Sequence, residues 1–122
     1  MTARAASPVA YPLRAFLDLS TGHLTHRTRR WLDGLDWVNE GPFGASTSYG
    51  WFIYAHDDDV CQPSAPHAPP GRFPADLWAC MCRANELGAD YLLFDCDAME
   101  VEGLPVYDLV DGRDLIVPSS FA

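Results

Sequence analysis

Apolar and polar positions divide the chain into short strand-like runs. Residues 13–19 (LRAFLDL) form an apolar run that ends in the turn-forming sequence STG, which is typical of a buried strand. Residues 50–56 (GWFIYAH) and 91–94 (YLLF) contain the aromatic and branched side chains that favour strands. Residues 40–48 (EGPFGASTS) contain Gly and Pro and therefore predict only a weak strand.

Two stretches have apolar residues at helical spacing. The first begins at Thr25, whose side chain suits an N-cap, and runs to about residue 37 with Trp31 and Leu35 on its apolar side. The second begins after Pro74 and ends at Gly88, residue types that suit a helix start and a helix stop. The pattern thus predicts one helix after the first strand and one before the last.

The predicted order is strand, helix, strand, strand, helix, strand. This order predicts an α+β fold, a two-layer sandwich with the ferredoxin-like β-α-β-β-α-β arrangement, in which the first and third strands are central. Short extended pieces at 104–109 and 115–117 predict a short C-terminal extension. We expect residues 1–12 to be a flexible N-terminal arm and residues 13–122 to form a single domain, with a proline-rich loop at 57–74.

The charge of the chain restricts the classes of partner. Seventeen acidic residues against eight basic ones give a net charge of -9, and all the basic residues are arginines. Residues 90–122 hold eight of the acids and only Arg113, so the C-terminal quarter is an acidic block. Such a block disfavours direct nucleic-acid binding but complements a basic surface on another protein. The alternative is that the acidity only maintains solubility.

The acidic block and one strand supply the candidate partner-binding residues. The aromatic candidates are Tyr49 and Trp51, which would be anchors if they pointed outward, whereas core packing is the alternative for Trp51. The acidic candidates are Glu100, Glu102, Asp108, Asp111 and Asp114.

A weaker catalytic candidate is the pair Asp95 and Asp97 directly after the apolar run YLLF. Two carboxylates at a strand end can bind Mg²⁺ or supply a nucleophile and an acid, and haloacid-dehalogenase-type phosphatases have such a sequence. The lysine with which those enzymes hold phosphate is absent here, and a solvated acidic pair is the alternative. His23 is a candidate general base, or else a polar residue that completes backbone hydrogen bonds at a helix entry.

Cysteine and histidine positions give only weak metal candidates. Three candidate ligands lie around the acidic triplet 57–59 of the proline-rich loop, namely His56, Cys61 and His67. Their spacing matches no zinc module. Cys80 lies on the apolar side of the second predicted helix and is expected to be buried. Without a signal peptide or a membrane span in the sequence, we expect a cytoplasmic protein with reduced thiols and no cofactor.

Four sequence blocks together resemble a known family. The blocks LDLSTGHLT (17–25), YGWFIYA (49–55), ADYLLFDCDA (89–98) and GLPVYDL (103–109) are similar to short acidic bacterial domains of unknown function found on plasmids, integrative elements and phage-like regions. The resemblance carries no catalytic residue with it. It implies a mobile-element setting, in which small acidic proteins often neutralise host defence by occupying a basic nucleic-acid groove.

These observations combine into one functional expectation and one rival. We expect a non-enzymatic, acidic protein-binding inhibitor or accessory factor of a mobile element, of the anti-CRISPR or anti-restriction type. Its partner would be a host protein or nucleoprotein complex with a basic surface, with no direct nucleic-acid or membrane contact and with homodimerisation as an option. The rival is a metal-dependent phosphoesterase or nuclease that uses Asp95 and Asp97.

Overall fold

The computed structural model describes residues 13–38, 42–55 and 73–119 and has α+β architecture. Within these residues lie two α-helices and sheets of four and two strands. The elements are β1 (Phe16–Ser20), a 3₁₀ turn (Thr21–His23), α1 (His26–Asp33), β2 (Gly44–Ser46), β3 (Gly50–Tyr54), α2 (Ala75–Glu86), β4 (Tyr91–Asp95), β5 (Val106–Val110) and β6 (Arg113–Val117).

The larger sheet has the strand order β1-β4-β3-β2. β4 pairs in parallel with β1 and antiparallel with β3, which pairs antiparallel with β2. A ferredoxin-like sheet would have its first and third strands in the centre, but here the third and fourth are central and β1 lies at an edge. Asp18 gives this edge strand an exposed charge, a feature that discourages pairing of a free sheet edge with another chain.

The core lies on one face of this sheet. Successive strand residues point to opposite faces, so β3 and β4 each bury every second side chain. α1 contributes Leu32 and α2 contributes Leu77 and Met81 to the same buried cluster, and all three are buried completely or nearly so. The buried strand residues in this cluster are Leu19, Trp51, Ile53, Leu92 and Phe94.

The helix ends follow the capping signals in the sequence. The Thr25 hydroxyl accepts a hydrogen bond from the Thr28 N–H at 3.1 Å, which fixes the start of α1. α1 ends at Asp33, before Gly34, and is therefore shorter than its apolar spacing predicts. α2 follows Pro74 directly, and Gly88 has a φ of 81° just after its end, a conformation that glycine adopts without a steric penalty.

The predicted C-terminal extension is a hairpin. β5 and β6 pair antiparallel around Asp111 and Gly112, whose φ values of 52° and 77° match the type I′ turn that Asp-Gly favours. The predicted arm at residues 1–12 and nearly all of the loop at 57–74 lie outside the described residues. Neither α1 nor α2 is long and apolar enough to cross a membrane.

Candidate functional site

The acidic C-terminal block is divided by the hairpin into exposed and engaged carboxylates. Glu102, Asp108 and Asp111 are exposed, and Glu100 is half-buried. Asp114 is different, because its carboxylate faces the first turn of α1. The three exposed carboxylates lie in the hairpin or in the segment before it, with Arg113 as the hairpin's only basic residue.

Asp114 caps α1 from a distant part of the chain. Its Oδ1 accepts a hydrogen bond from the His26 N–H at 2.7 Å, and its Oδ2 accepts one from the Arg27 N–H at 3.3 Å. These N–H groups have no partner within the helix, and a negative charge at a helix N-terminus is stabilising. Asp114 therefore attaches the hairpin to α1, a contact that the sequence did not predict.

Tyr49 and Trp51 lie in different environments. Tyr49 is 65% exposed just before β3, so it stays available to a partner. Trp51 is 6% exposed and packs in the core, which is the alternative to an outward-pointing anchor. Because side chains alternate along β3, Phe52 and Tyr54 point to the opposite side of the sheet.

That opposite side carries a continuous group of aromatic rings. The Phe52 and Tyr91 rings stack with centroids 4.9 Å apart, and the Tyr54 and Tyr91 centroids are 5.4 Å apart. Edge-on contacts extend the group to Phe16, 6.2 Å from Phe52, and to Phe43, 6.3 Å from Tyr54. We call this surface the aromatic face, and its members are Phe16, Asp18, Phe43, Phe52, Tyr54, Tyr91, Leu93 and Asp95.

Strand register arranges the aromatic face in rows across the sheet. Phe16, Tyr91 and Tyr54 are opposite one another in one row. Asp18, Leu93 and Phe52 form the next row, and Asp95 lies in the third row between Ser20 and Gly50. A shallow cleft of about 260 Å³ runs over the rings beside β2. None of the members belongs to the buried core cluster.

Asp95 and Asp97 come together with a third group. The ligand atoms of Asp95, Cys96 and Asp97 lie within 4.8 Å of one another at the end of β4. The Asp95 Oδ1 also accepts a hydrogen bond from the Asp97 N–H at 2.8 Å, so one oxygen shapes the local turn. Cys96 and Asp97 are exposed. The chain thus brings the predicted carboxylate pair together and adds a thiol.

His23 is buried, with 1% of its surface exposed. Its Nε2 accepts a hydrogen bond from the Val101 N–H at 2.8 Å. This leaves the proton on Nδ1, which donates to the Pro105 carbonyl at 2.8 Å. Both ring nitrogens are thus engaged by backbone groups, as the second interpretation of His23 predicts, and neither is left to serve as a general base.

A cavity of about 520 Å³ lies between the first turns of α1 and α2. On its wall, the Asp76 carboxylate accepts hydrogen bonds from the Thr25 N–H and the Thr28 hydroxyl, both at 2.7 Å. Tyr107 lines the same cavity, and burial raises the pKa of its phenol, with the charges of Asp76 and Cys80 raising it further. Asp76 therefore joins the two helices and influences the titration of its neighbours.

The cysteines fall into separate classes. Cys80 is buried, and burial together with the charge of Asp76 raises the pKa of its thiol far above the usual range. Cys96 is exposed and free, whereas Cys82 is disulfide-bonded, so the expectation of reduced thiols fails at Cys82. The weak metal candidates His56, Cys61 and His67 lie outside the described residues.

The family model for the C-terminal domain of DUF5983, a family of unknown function, matches residues 16–109. The chain belongs to this family. No curated protein and no solved structure matches the chain. The DUF5983 match begins at the first residue of β1 and ends one residue before the end of β5. It includes the four-stranded sheet, both helices, His23 and Asp76, while Asp114 lies beyond it.

The sequence patterns did not show the full role of three features of this DUF5983 domain. Asp76 lies in the first turn of α2, where an acidic residue stabilises a helix, and its position in the sequence indicates this role. Its contacts with α1 could not be predicted from the sequence. The C-terminal piece was expected to be a hairpin or an extension, and the Asp-Gly pair at 111–112, between two apolar runs, is the sequence signal that favours the hairpin. The aromatic face could not be predicted without knowing which strand pairs with the strand of Phe52. The alternation of side chains along one strand does not show which rings of different strands share a surface.

Proposed function

We propose that this DUF5983 domain is a non-enzymatic, acidic protein-binding inhibitor or accessory factor of a mobile element. Its target is the basic nucleic-acid-binding surface of a host protein or nucleoprotein complex, of the kind that CRISPR and restriction systems use. The carrying observation is the exposed carboxylate group of Glu102, Asp108 and Asp111 on and beside the hairpin. The sequence resemblance to domains of plasmids and phage-like regions supports the setting.

The physical role of these carboxylates is attraction and selection rather than strong affinity. Exposed charges about 4 Å apart attract by only about 1 kcal/mol in water, and salt screens them. Several of them on one surface nevertheless speed the encounter with a basic partner and discourage acidic ones. A domain with net charge -9 therefore competes with nucleic acid for a groove without resembling it in sequence or shape.

The test is an affinity pull-down of the tagged chain from a bacterial host that carries defence systems. The column is washed from about 0.1 M to about 1 M salt, over which the screening length falls from about 10 Å to about 3 Å. Recovery of a nucleic-acid-handling complex that elutes as salt rises, and that is displaced by its own nucleic acid, is the expected result.

A matched pair of variants makes the pull-down specific. Glu102→Gln/Asp108→Asn removes two charges from the proposed surface, and Asp33→Asn/Glu86→Gln removes two exposed charges from the helices. The first variant should elute at clearly lower salt than the second. Equal elution of both, or no reproducible nucleic-acid-handling partner, contradicts the proposal.

A second candidate function is metal-dependent phosphoester or nucleic-acid hydrolysis at Asp95 and Asp97. The observation in its favour is that Asp95, Cys96 and Asp97 present three ligand atoms within 4.8 Å of one another. The test measures hydrolysis of p-nitrophenyl phosphate and of a labelled oligonucleotide with Mg²⁺ or Mn²⁺. Activity that Asp95→Asn/Asp97→Asn abolishes would favour this candidate, and metal-independent or absent hydrolysis would reject it.

A further inference from the structure

The aromatic face combines two chemical features that recognise the same side chain. Its rings contact one another from Phe16 on the edge strand to Phe43 beside β2, so aromatic side chains extend across most of its width. Phe16 is 54% exposed and Phe43 is 77% exposed, and both rings are therefore accessible. Asp18 and Asp95 are the only charged groups among its members.

The spacing of rings and carboxylates suits a guanidinium group. Asp18 follows Phe16 by two residues on the same strand, so their Cα atoms are about 7 Å apart and both side chains point outward. Asp95 is one row further along on the neighbouring strand, roughly 8 Å from Asp18 by the same strand spacings. Arginine stacks on aromatic rings and pairs with carboxylates through a planar fork of donors, whereas lysine offers a single compact charge.

From this arrangement we infer that the aromatic face binds arginine side chains of a basic protein segment. The inference rests on the proposed function and names the surface that recognises the partner. An arginine of that segment stacks on the exposed Phe16 ring and directs its guanidinium towards Asp18. The cleft beside β2 receives a second long side chain from the same segment.

Charge decides between arginine and other occupants of an aromatic surface. Single-stranded nucleic acid also stacks on exposed rings, but its phosphates would be brought against Asp18 and Asp95, and the eight described members of the face include no arginine to neutralise them. A second copy of the chain would bring the same two carboxylates of each copy into one interface, at a desolvation cost. A cationic segment meets both the rings and the carboxylates favourably.

The test is fluorescence anisotropy of labelled octa-arginine and octa-lysine peptides with the full chain at about 0.15 M salt, where surface charges are screened beyond about 8 Å. The face variant is Phe16→Ala/Asp18→Asn, and Phe43→Ala is a milder second variant at an exposed position. The matched control is Ile116→Ala/Asp33→Asn, which removes the same charge and an apolar side chain that is 70% exposed on the hairpin.

We expect octa-arginine to bind more tightly than octa-lysine. The face variant should weaken octa-arginine about tenfold and abolish the preference for arginine, since it removes one stacking partner and one ion pair. Phe43→Ala should weaken it severalfold, and the control should stay within about twofold because isolated surface charges contribute little.

Other results overturn the inference and leave the proposed function separately testable. In one such result, only Glu102→Gln/Asp108→Asn weakens peptide binding, and it does so equally for octa-arginine and octa-lysine. This result would support binding by the hairpin carboxylates and reject binding by the aromatic face. A wild-type dimer by light scattering that the face variant converts to monomer would assign the face to a second copy. Tight binding of oligothymidine that the face variant weakens would assign it to nucleic acid. Absence of peptide binding also rejects the inference, and the salt-dependent pull-down then decides the proposed function alone.

Discussion

Replacement of His23 by alanine should cost much of the domain's stability. The buried imidazole joins the Val101 N–H to the Pro105 carbonyl, each at 2.8 Å. Loss of the ring leaves both backbone groups without this partner, at about 1–3 kcal/mol for each buried group. Because Pro105 is an exposed residue, we assign the low end of this range to its carbonyl and add a small free-energy cost for the cavity that the ring leaves. The free energy of unfolding should therefore fall by about 3 kcal/mol.

Urea unfolding followed by tryptophan fluorescence measures this change, with amide hydrogen exchange at Val101 as a local readout. His23→Asn and His23→Gln are the controls, because a side-chain amide can replace one ring nitrogen but does not span both partners. Each should lose about half as much stability as His23→Ala. A loss below about 1 kcal/mol for His23→Ala, with the Val101 amide still protected, would refute this account of His23.

Three further predictions concern the hairpin, the thiols and a phenol. Asp114→Ala should lower the free energy of unfolding by about 2 kcal/mol in urea unfolding because it uncaps α1, whereas Glu102→Ala should change it by less than about 0.5 kcal/mol. In the folded, unreduced protein a thiol reagent should modify Cys96 and spare Cys80 until the chain unfolds, as mass spectrometry can show. Because the folded-state pKa of Tyr107 is raised, the folded chain keeps that proton after the unfolded chain loses it. The contribution of this phenol to stability should therefore be constant below about pH 10 and fall above it, in addition to the fall that the raised pKa of Cys80 causes from a lower pH. Tyr107→Phe should lose this component of the alkaline fall, and an unchanged fall would contradict it.

Local patterns in the sequence predicted the kinds of elements well. α2 lies where Pro74 and Gly88 predict its two ends, and β4 lies on the apolar run at 91–94. These predictions succeed because capping and periodicity depend on neighbours within a few residues of one another. α1 ended early at Gly34 although apolar side chains continue to residue 37, since these can also contact the core from an irregular segment.

The same patterns could not predict which strands are neighbours in the sheet or which distant residues form hydrogen bonds. The apolar content of β1 and β4 shows that both pack against a core, but not that β4 enters between β1 and β3. Likewise, five acids of the C-terminal block look alike in sequence, and only the folded hairpin brings Asp114 to the first turn of α1. The choice between the two roles of His23 also depended on Val101 and Pro105, about eighty residues away.

The position of β4 has a consequence for how the chain is made. β4 is the last strand of the larger sheet to leave the ribosome, yet it lies between β1 and β3. Phe16 in β1 therefore cannot pair with Tyr91 until β4 has been synthesised. Until then β1 lacks its partner strand. β3 pairs only with β2, and an isolated two-stranded hairpin of this kind is only marginally stable in water. Pairing across such a long separation is slow, and unpaired apolar strands favour aggregation meanwhile. Most of the surplus of carboxylates lies in the C-terminal block, and residues 1–89 hold nine acids against seven arginines, so mutual repulsion between nascent chains is weak until that block has emerged.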